Sequence, residues 1–142
     1  TVVPLDLREL FVVLVMPTFF DVSTALAYRN LDEIPNRSEL RMMDEQELTK
    51  VLQMPTSDWK HWLYNDFQSC VGHDSYYNKL FAASEGHSGY ASLSGSGACW
   101  FFISENRDEV DAVKKKIERG LKDQVDCWMA STLPDRELRI IK

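Results

Sequence analysis

Apolar positions along the chain follow two periods. Phe11 to Met16, FVVLVM, is a short unbroken apolar run, the pattern of a buried strand. Pro17 and a short turn follow, and Ser23 or Thr24 stands where a helix cap belongs, ahead of TALAYRNL. Pro35, Asn36 and Ser38 mark a loop. MMDEQELTKVLQ, Met42 to Gln53, has helical spacing and stops at Met54-Pro55, because the residue before a proline leaves the helical region. SDWKHWLYNDFQSCV, with Ser57 or Asp58 as cap, places Trp59, Trp62, Leu63, Phe67 and Cys70 near one face of a further amphipathic helix. Tyr76 to Glu85 reads as another helix.

The period then changes. GYASLSGSGACWFFIS is a pair of short apolar segments around a Ser-Gly loop, which predicts a β-hairpin. Asn106-Arg107-Asp108-Glu109 has the spacing of a capping box. Val110, Val113, Ile117 and Leu121 repeat behind it at helical spacing, with Gly120 near the expected end. VDCWMAS, Val125 to Ser131, completes the set as a last strand, and the tail PDRELRIIK fits neither period. The order is strand, helical excursion, strand, strand, helix, strand. It predicts an α+β, ferredoxin-like split βαβ fold: a four-stranded antiparallel sheet with helices on one face and extra helices in the first crossover.

Composition narrows the function classes. The 142 residues suit one domain with a real core, and a net charge of −6 with dispersed acids argues against a nucleic-acid surface. The single basic run, Lys114-Lys115-Lys116, falls among acids on the last helix and reads as a solvated face. No apolar run approaches the roughly 18 residues of a membrane span. Cys70, Cys99 and Cys127 are odd in number and far apart, which predicts free thiols in a reducing compartment. TVVPLDLREL carries no initiator Met and no signal-like segment, so the chain reads as a piece of something longer or a processed product.

The Ser-Gly loop, LSGSGAC, is the most informative chemistry. A phosphate-binding P-loop follows a strand and opens a helix, whereas this loop precedes the strand-like WFFIS and lacks the Lys-Ser/Thr ending. Its residues fit a hairpin turn, or a turn whose Ser94 and Ser96 hydroxyls and backbone N–H groups form an anion nest. His61, His73 and His87 show no second ligand pair at zinc spacing and read as surface residues, so no metal site is expected. Nothing beyond residue type supports a Ser-His-Asp or Cys-His nucleophile.

LSGSGAC followed by an apolar strand resembles the third conserved motif of the GHMP kinases, small-molecule kinases named for galactose, homoserine, mevalonate and phosphomevalonate. Leu63-Tyr64-Asn65-Asp66-Phe67-Gln68 is similar to an Asn-Asp-Leu/Phe-Glu element of one branch, the 4-diphosphocytidyl-2-C-methyl-D-erythritol kinases of non-mevalonate isoprenoid synthesis. VLVMPTFFDVSTALAY resembles that branch's strand, proline, short loop, Val-Ser-Thr and following aromatic. Gln68 departs from the usual Glu, and the segment from Pro17 to Thr24 runs about one residue long. The motifs together span roughly Phe11 to Ser131.

The resemblance implies that residues 1–142 are the C-terminal domain of a two-domain kinase. A separate N-terminal domain would carry the main ATP loop and the catalytic Lys and Asp, leaving no catalytic residue in this chain and no activity for it alone. It implies ATP and Mg²⁺ as cofactors held mainly by that partner domain, a cytidine-diphosphate sugar-alcohol as substrate, and no nucleic-acid or membrane partner. The implied setting is the cytoplasm, or the plastid for a plant-type source. Ser94, Gly95, Ser96, Gly97 and Ala98 would approach the phosphates, and Thr24 and Tyr28 would lie near the cytidine end. Asn65 and Asp66 would support the loop through short polar side chains. Another GHMP kinase of homoserine or mevalonate type would share these features. A non-catalytic ferredoxin-like binding domain would instead use Trp59, Trp62, Trp100 and Trp128 as core or dimer face.

Overall fold

In a computed structural model, which describes residues 7–35 and 43–133, strands and helices follow the expected order. The strands are β1 (Phe11–Pro17), β2 (Tyr90–Leu93), β3 (Trp100–Ser104) and β4 (Val125–Ser131), and the helices are α1 (Thr24–Asp32), α2 (Glu45–Gln53), α3 (Asp74–Ser84) and α4 (Arg107–Leu121). The sheet order is β2-β3-β1-β4 with every neighbouring pair antiparallel, which is the split βαβ arrangement. Expectations at Asn36, Ser38, Met42 and the 134–142 tail lie outside the described residues.

Side-chain alternation explains the layers. Val13 and Val15 of β1, Trp100 and Phe102 of β3, and Leu93 of β2 meet Tyr77 and Leu80 of α3 and the Val110, Val113, Ile117, Leu121 stripe of α4 in the main core. Phe101 and Ile103, one position out of phase on β3, point to the opposite face. There the inserted segment supplies a smaller core of Val51 and Trp59 with Leu10 and Tyr90. The long helices thus back one face, and the first-crossover insertion reaches round to the other.

Three local expectations change. The single helix predicted across 57–71 is replaced by 3-10 helices at Thr56–His61 and Asp66–Ser69. A continuous helix would keep Trp59 and Phe67 on one surface. The break lets Trp59 enter the second core while Phe67 meets Tyr28, ring centroids 5.0 Å apart. The capping box at Asn106 is not formed: Asn106 Oδ1 caps the helix by accepting from the Asp108 N–H at 2.9 Å, and the Glu109 carboxylate turns to His87 Nδ1 at 2.5 Å. Helix α4 also runs past Gly120, because Leu121 is the last buried residue of its apolar stripe. Lys122, at φ 47°, makes the turn in place of the glycine.

A polar network fastens the chain's entry to β1. Arg8 donates to the Leu52 and Met54 carbonyls at 2.7 and 2.6 Å and pairs with Glu105, whose carboxylate also accepts from the buried Thr56 N–H and hydroxyl at 2.8 and 2.6 Å. Partial burial opposes the Glu105 charge, but the donors from Thr56 and Arg8 outweigh it and hold the carboxyl at about 2, below its ordinary 4.5. Because the folded carboxyl binds its proton more weakly than the unfolded one, its stabilisation is complete above pH 4.5 and fades as pH falls towards 2. Glu105→Gln is therefore expected to flatten the acid limb of a urea-melt stability profile between those values. An acid limb as steep as the parent's would mean that other carboxylates carry it.

Candidate functional site

The Ser-Gly loop joins β2 to β3 as a hairpin tip. The Ser94 N–H donates to the Cys99 carbonyl at 2.8 Å and the Gly97 N–H to the Ser94 carbonyl at 3.1 Å. Gly95 and Gly97 take φ of +56° and +95°, a region that L side chains avoid, and the Gly97-Ala98 peptide is cis. The two glycines face different surroundings. A Cβ on Gly95 would meet nothing within 4 Å, while one on Gly97 would meet Val71 Cγ2 at 3.2 Å, the Tyr77 hydroxyl at 3.4 Å and Val22 Cγ2 at 3.5 Å. Gly97 is the seated foot of the loop and Gly95 its open tip. The amides of Gly95 and Ser96 have no hydrogen-bond partner among the described residues and stand at that open tip.

Asn65 holds the loop from the side. Its Oδ1 caps the 3-10 helix by accepting from the Phe67 N–H at 3.0 Å, leaving its Nδ2 to donate to the carbonyls of Leu93 at 3.0 Å and Gly95 at 2.8 Å. Gln68 adds to this brace, its Oε1 accepting from the Ser92 hydroxyl at 2.7 Å and, more weakly, from the Leu93 N–H at 3.4 Å. Side chains thus occupy backbone positions along the open edge of β2 that another strand would otherwise take. An acidic residue in place of Gln68 could accept the same bonds. Asp66 makes no side-chain bond to the loop among the described residues. Asn65→Ala removes the donors to the part-buried Leu93 carbonyl and the exposed Gly95 carbonyl and is expected to cost about 1–2 kcal/mol. Hydrogen exchange at the bonded loop amides of Ser94 and Gly97 would rise with it, and unchanged exchange there would show that the loop holds its own shape.

Tyr77, in the stretch that reads as a helix from Tyr76 to Glu85, also bears on the loop. It rises from α3, and its hydroxyl donates to the Ala98 carbonyl at 3.0 Å. Burial, with the nearby Cys99 sulfur, raises that hydroxyl to about 12, so it remains a donor throughout the working range. Burial likewise raises the Cys99 thiol, which leaves it neutral and poorly suited to nucleophilic chemistry.

Helix α1 brings the remaining sequence-derived residues to the loop. Ser23 is its cap, accepting from the Leu26 N–H at 3.3 Å, which frees the Thr24 hydroxyl to stand 3.4 Å from the Ser96 hydroxyl. Tyr28, one turn on, is 55% exposed, its ring perpendicular to that of Phe67. The loop, Asn65, Thr24 and Tyr28 therefore border one surface. Of the tryptophans, Trp59 and Trp100 are buried while Trp62 and Trp128 are half exposed. His61 and His73 are exposed, His73 with its ring stacked on Phe20 at 3.7 Å, while His87 is partly buried and pairs with Glu109. All three cysteines are free. Among the described residues no group of three or more His, Cys, Asp or Glu side chains could hold a metal, and no helix is long and apolar enough to cross a membrane.

No family model and no curated protein matches the sequence. Solved structures do match the fold. A homoserine kinase from Cytophaga hutchinsonii superposes with a TM-score of 0.59 at 17% identity, over 93% of this chain and 44% of that one. The L. major mevalonate kinase, solved with R-mevalonate, superposes with a TM-score of 0.54 at 18% identity, over 92% of this chain and 44% of that one. The chain thus spans less than half the length of either kinase. Its fold, a four-stranded antiparallel sheet with helices, is one that it shares with kinases of the GHMP family.

Proposed function

We propose that this chain is the substrate-side half of an ATP-dependent small-molecule kinase of the GHMP type, in which the Ser94–Ala98 loop closes over phosphates held mainly by a second, N-terminal domain. The observation that carries the reading is the loop's architecture. A rigidly seated Gly97 and a brace of Asn65 and Gln68 carry an open tip with unpartnered amides at Gly95 and Ser96. Phosphoryl transfer is accelerated mainly by positioning and by stabilising charge on phosphoryl oxygens. Preorganised N–H donors on a turn fit that task without any acid or base in the turn itself. ATP would supply the phosphoryl group. Magnesium would be held mainly by the N-terminal domain and the phosphates, since the described residues gather no group of three or more His, Cys, Asp or Glu side chains.

For the substrate, we favour 4-diphosphocytidyl-2-C-methyl-D-erythritol, phosphorylated at its 2-hydroxyl. Two features support it: the Val22-Ser23-Thr24 to Tyr28 segment beside the loop, and the Asn65-Asp66-Phe67-Gln68 element beneath it. The exposed Tyr28 ring offers a flat surface for a pyrimidine. The test joins this chain to the upstream coding sequence and measures ADP formation with the cytidine substrate, homoserine and mevalonate in parallel. Turnover with the cytidine compound alone is the expected result. Turnover with homoserine or mevalonate instead would reassign the substrate. An upstream sequence without a Gly-rich ATP loop would overturn the kinase reading itself.

A further inference from the structure

At the outer edge of β2, away from the loop tip, a recess of about 450 Å³ lies between the end of α3, the strand and the segment around residues 60–68. Its apolar lining includes Phe81, Phe102 and Leu63. Gly89 leaves space for the Phe102 ring, since a Cβ there would fall 2.4 Å from it.

Full charges of both signs, Lys60 and Glu85, line the same recess. Neither forms an ion pair with the other or with any described residue. Of the other ionisable lining groups, His87 is committed to Glu109, and the Tyr64 and Tyr90 phenols are uncharged at neutral pH. Neutral donors complete the lining. The Ser94–Cys99 bond sets the alternation of the hairpin, so Ser92 and Tyr90 bond to β3 while Ala91 directs its N–H and C=O to the free edge. Gln68 uses its Oε1 on β2, and its amide nitrogen has no partner among the described residues.

We propose that this recess binds a small zwitterion, an α-amino acid with an apolar side chain. Lys60 takes the carboxylate, with the Gln68 amide and the Ala91 N–H as neutral donors, and Glu85 takes the ammonium. The side chain lies against Phe81 and Phe102. A purely anionic ligand would meet Glu85 unneutralised, and a purely cationic one would meet Lys60; only a ligand carrying both charges satisfies the pair. Gln68 also braces Ser92 and Leu93 at the start of the Ser-Gly loop, so occupancy of the recess is linked to the loop through one side chain. The site stands on its own geometry and does not depend on the kinase reading.

The test is an NMR titration of the isotope-labelled chain with L-leucine, compared with isoamylamine, which lacks the carboxylate, and 4-methylpentanoate, which lacks the ammonium. Shifts are expected at the amides of Gly86, Gly89 and Ala91, with leucine binding about tenfold more tightly than either analogue. Lys60→Glu and Glu85→Lys, both at exposed positions, should each weaken leucine by about tenfold with the amide spectrum otherwise retained. If either fails to fold, Lys60→Gln and Glu85→Gln carry the same comparison. Equal affinity for the single-charge analogues, leucine binding unaffected by the charge variants, or no shift at about 20 mM leucine would each overturn the proposal.

Discussion

Gly97→Val is expected to destabilise the chain by about 2–4 kcal/mol and, on the kinase reading proposed above, to abolish phosphoryl transfer once the chain is joined to its upstream sequence. The backbone at Gly97 has φ +95°, which a β-branched residue adopts only with strain, and its Cβ would press on Val71, Tyr77 and Val22. Strain and overpacking therefore add. Gly95→Ala is the matched control: it has the same sign of φ but open space around it, so its cost is about 1 kcal/mol. Urea melts of the two variants separate the effects. Equal costs would show that the Gly97 foot yields, and normal turnover of Gly97→Val would reduce the loop to a plain turn. Nothing local in the sequence reveals that Val22 and Val71 converge on that glycine.

Trp100→Ala is expected to cost about 3–5 kcal/mol, because the side chain is wholly buried between the sheet and α3, where Phe81 meets it edge-on at 5.9 Å. Trp100→Phe is expected to cost less than about 1.5 kcal/mol. The indole N–H is buried without a partner among the described residues, so phenylalanine gives up volume but also removes an unpaired donor. Chemical denaturation of both variants tests this. A phenylalanine variant as unstable as the alanine one would mean that the indole makes a contact essential to the core.

Periodicity was a good guide wherever one neighbour decided the fold of a segment. FVVLVM, WFFIS and VDCWMAS are strands, because alternating side chains in them serve two faces of the sheet. The α4 stripe was legible for the same reason, since Val110, Val113, Ile117 and Leu121 all face one core. The 57–71 segment was misread because it serves several neighbours at once. Trp59 belongs to the second core, Asn65 to the loop and Gln68 to the β2 edge, and a regular helix cannot aim side chains in all three directions.

The sequence by itself determined the split βαβ order, the hairpin position of the Ser-Gly loop and the absence of a P-loop, because strand periods and glycine placement are local properties. It also marked Thr24, Tyr28 and Asn65 as worth attention through motif resemblance. Only the tertiary structure decided what those residues touch. Asn65 reaches the loop while Asp66 does not, Gln68 and Tyr77 join the brace, and Gly97 is seated where Gly95 is free. Lys60 and Glu85 share a recess for the same reason. These contacts link residues distant along the chain, and their geometry depends on how the sheet, α3 and the inserted segment pack, which no local pattern encodes.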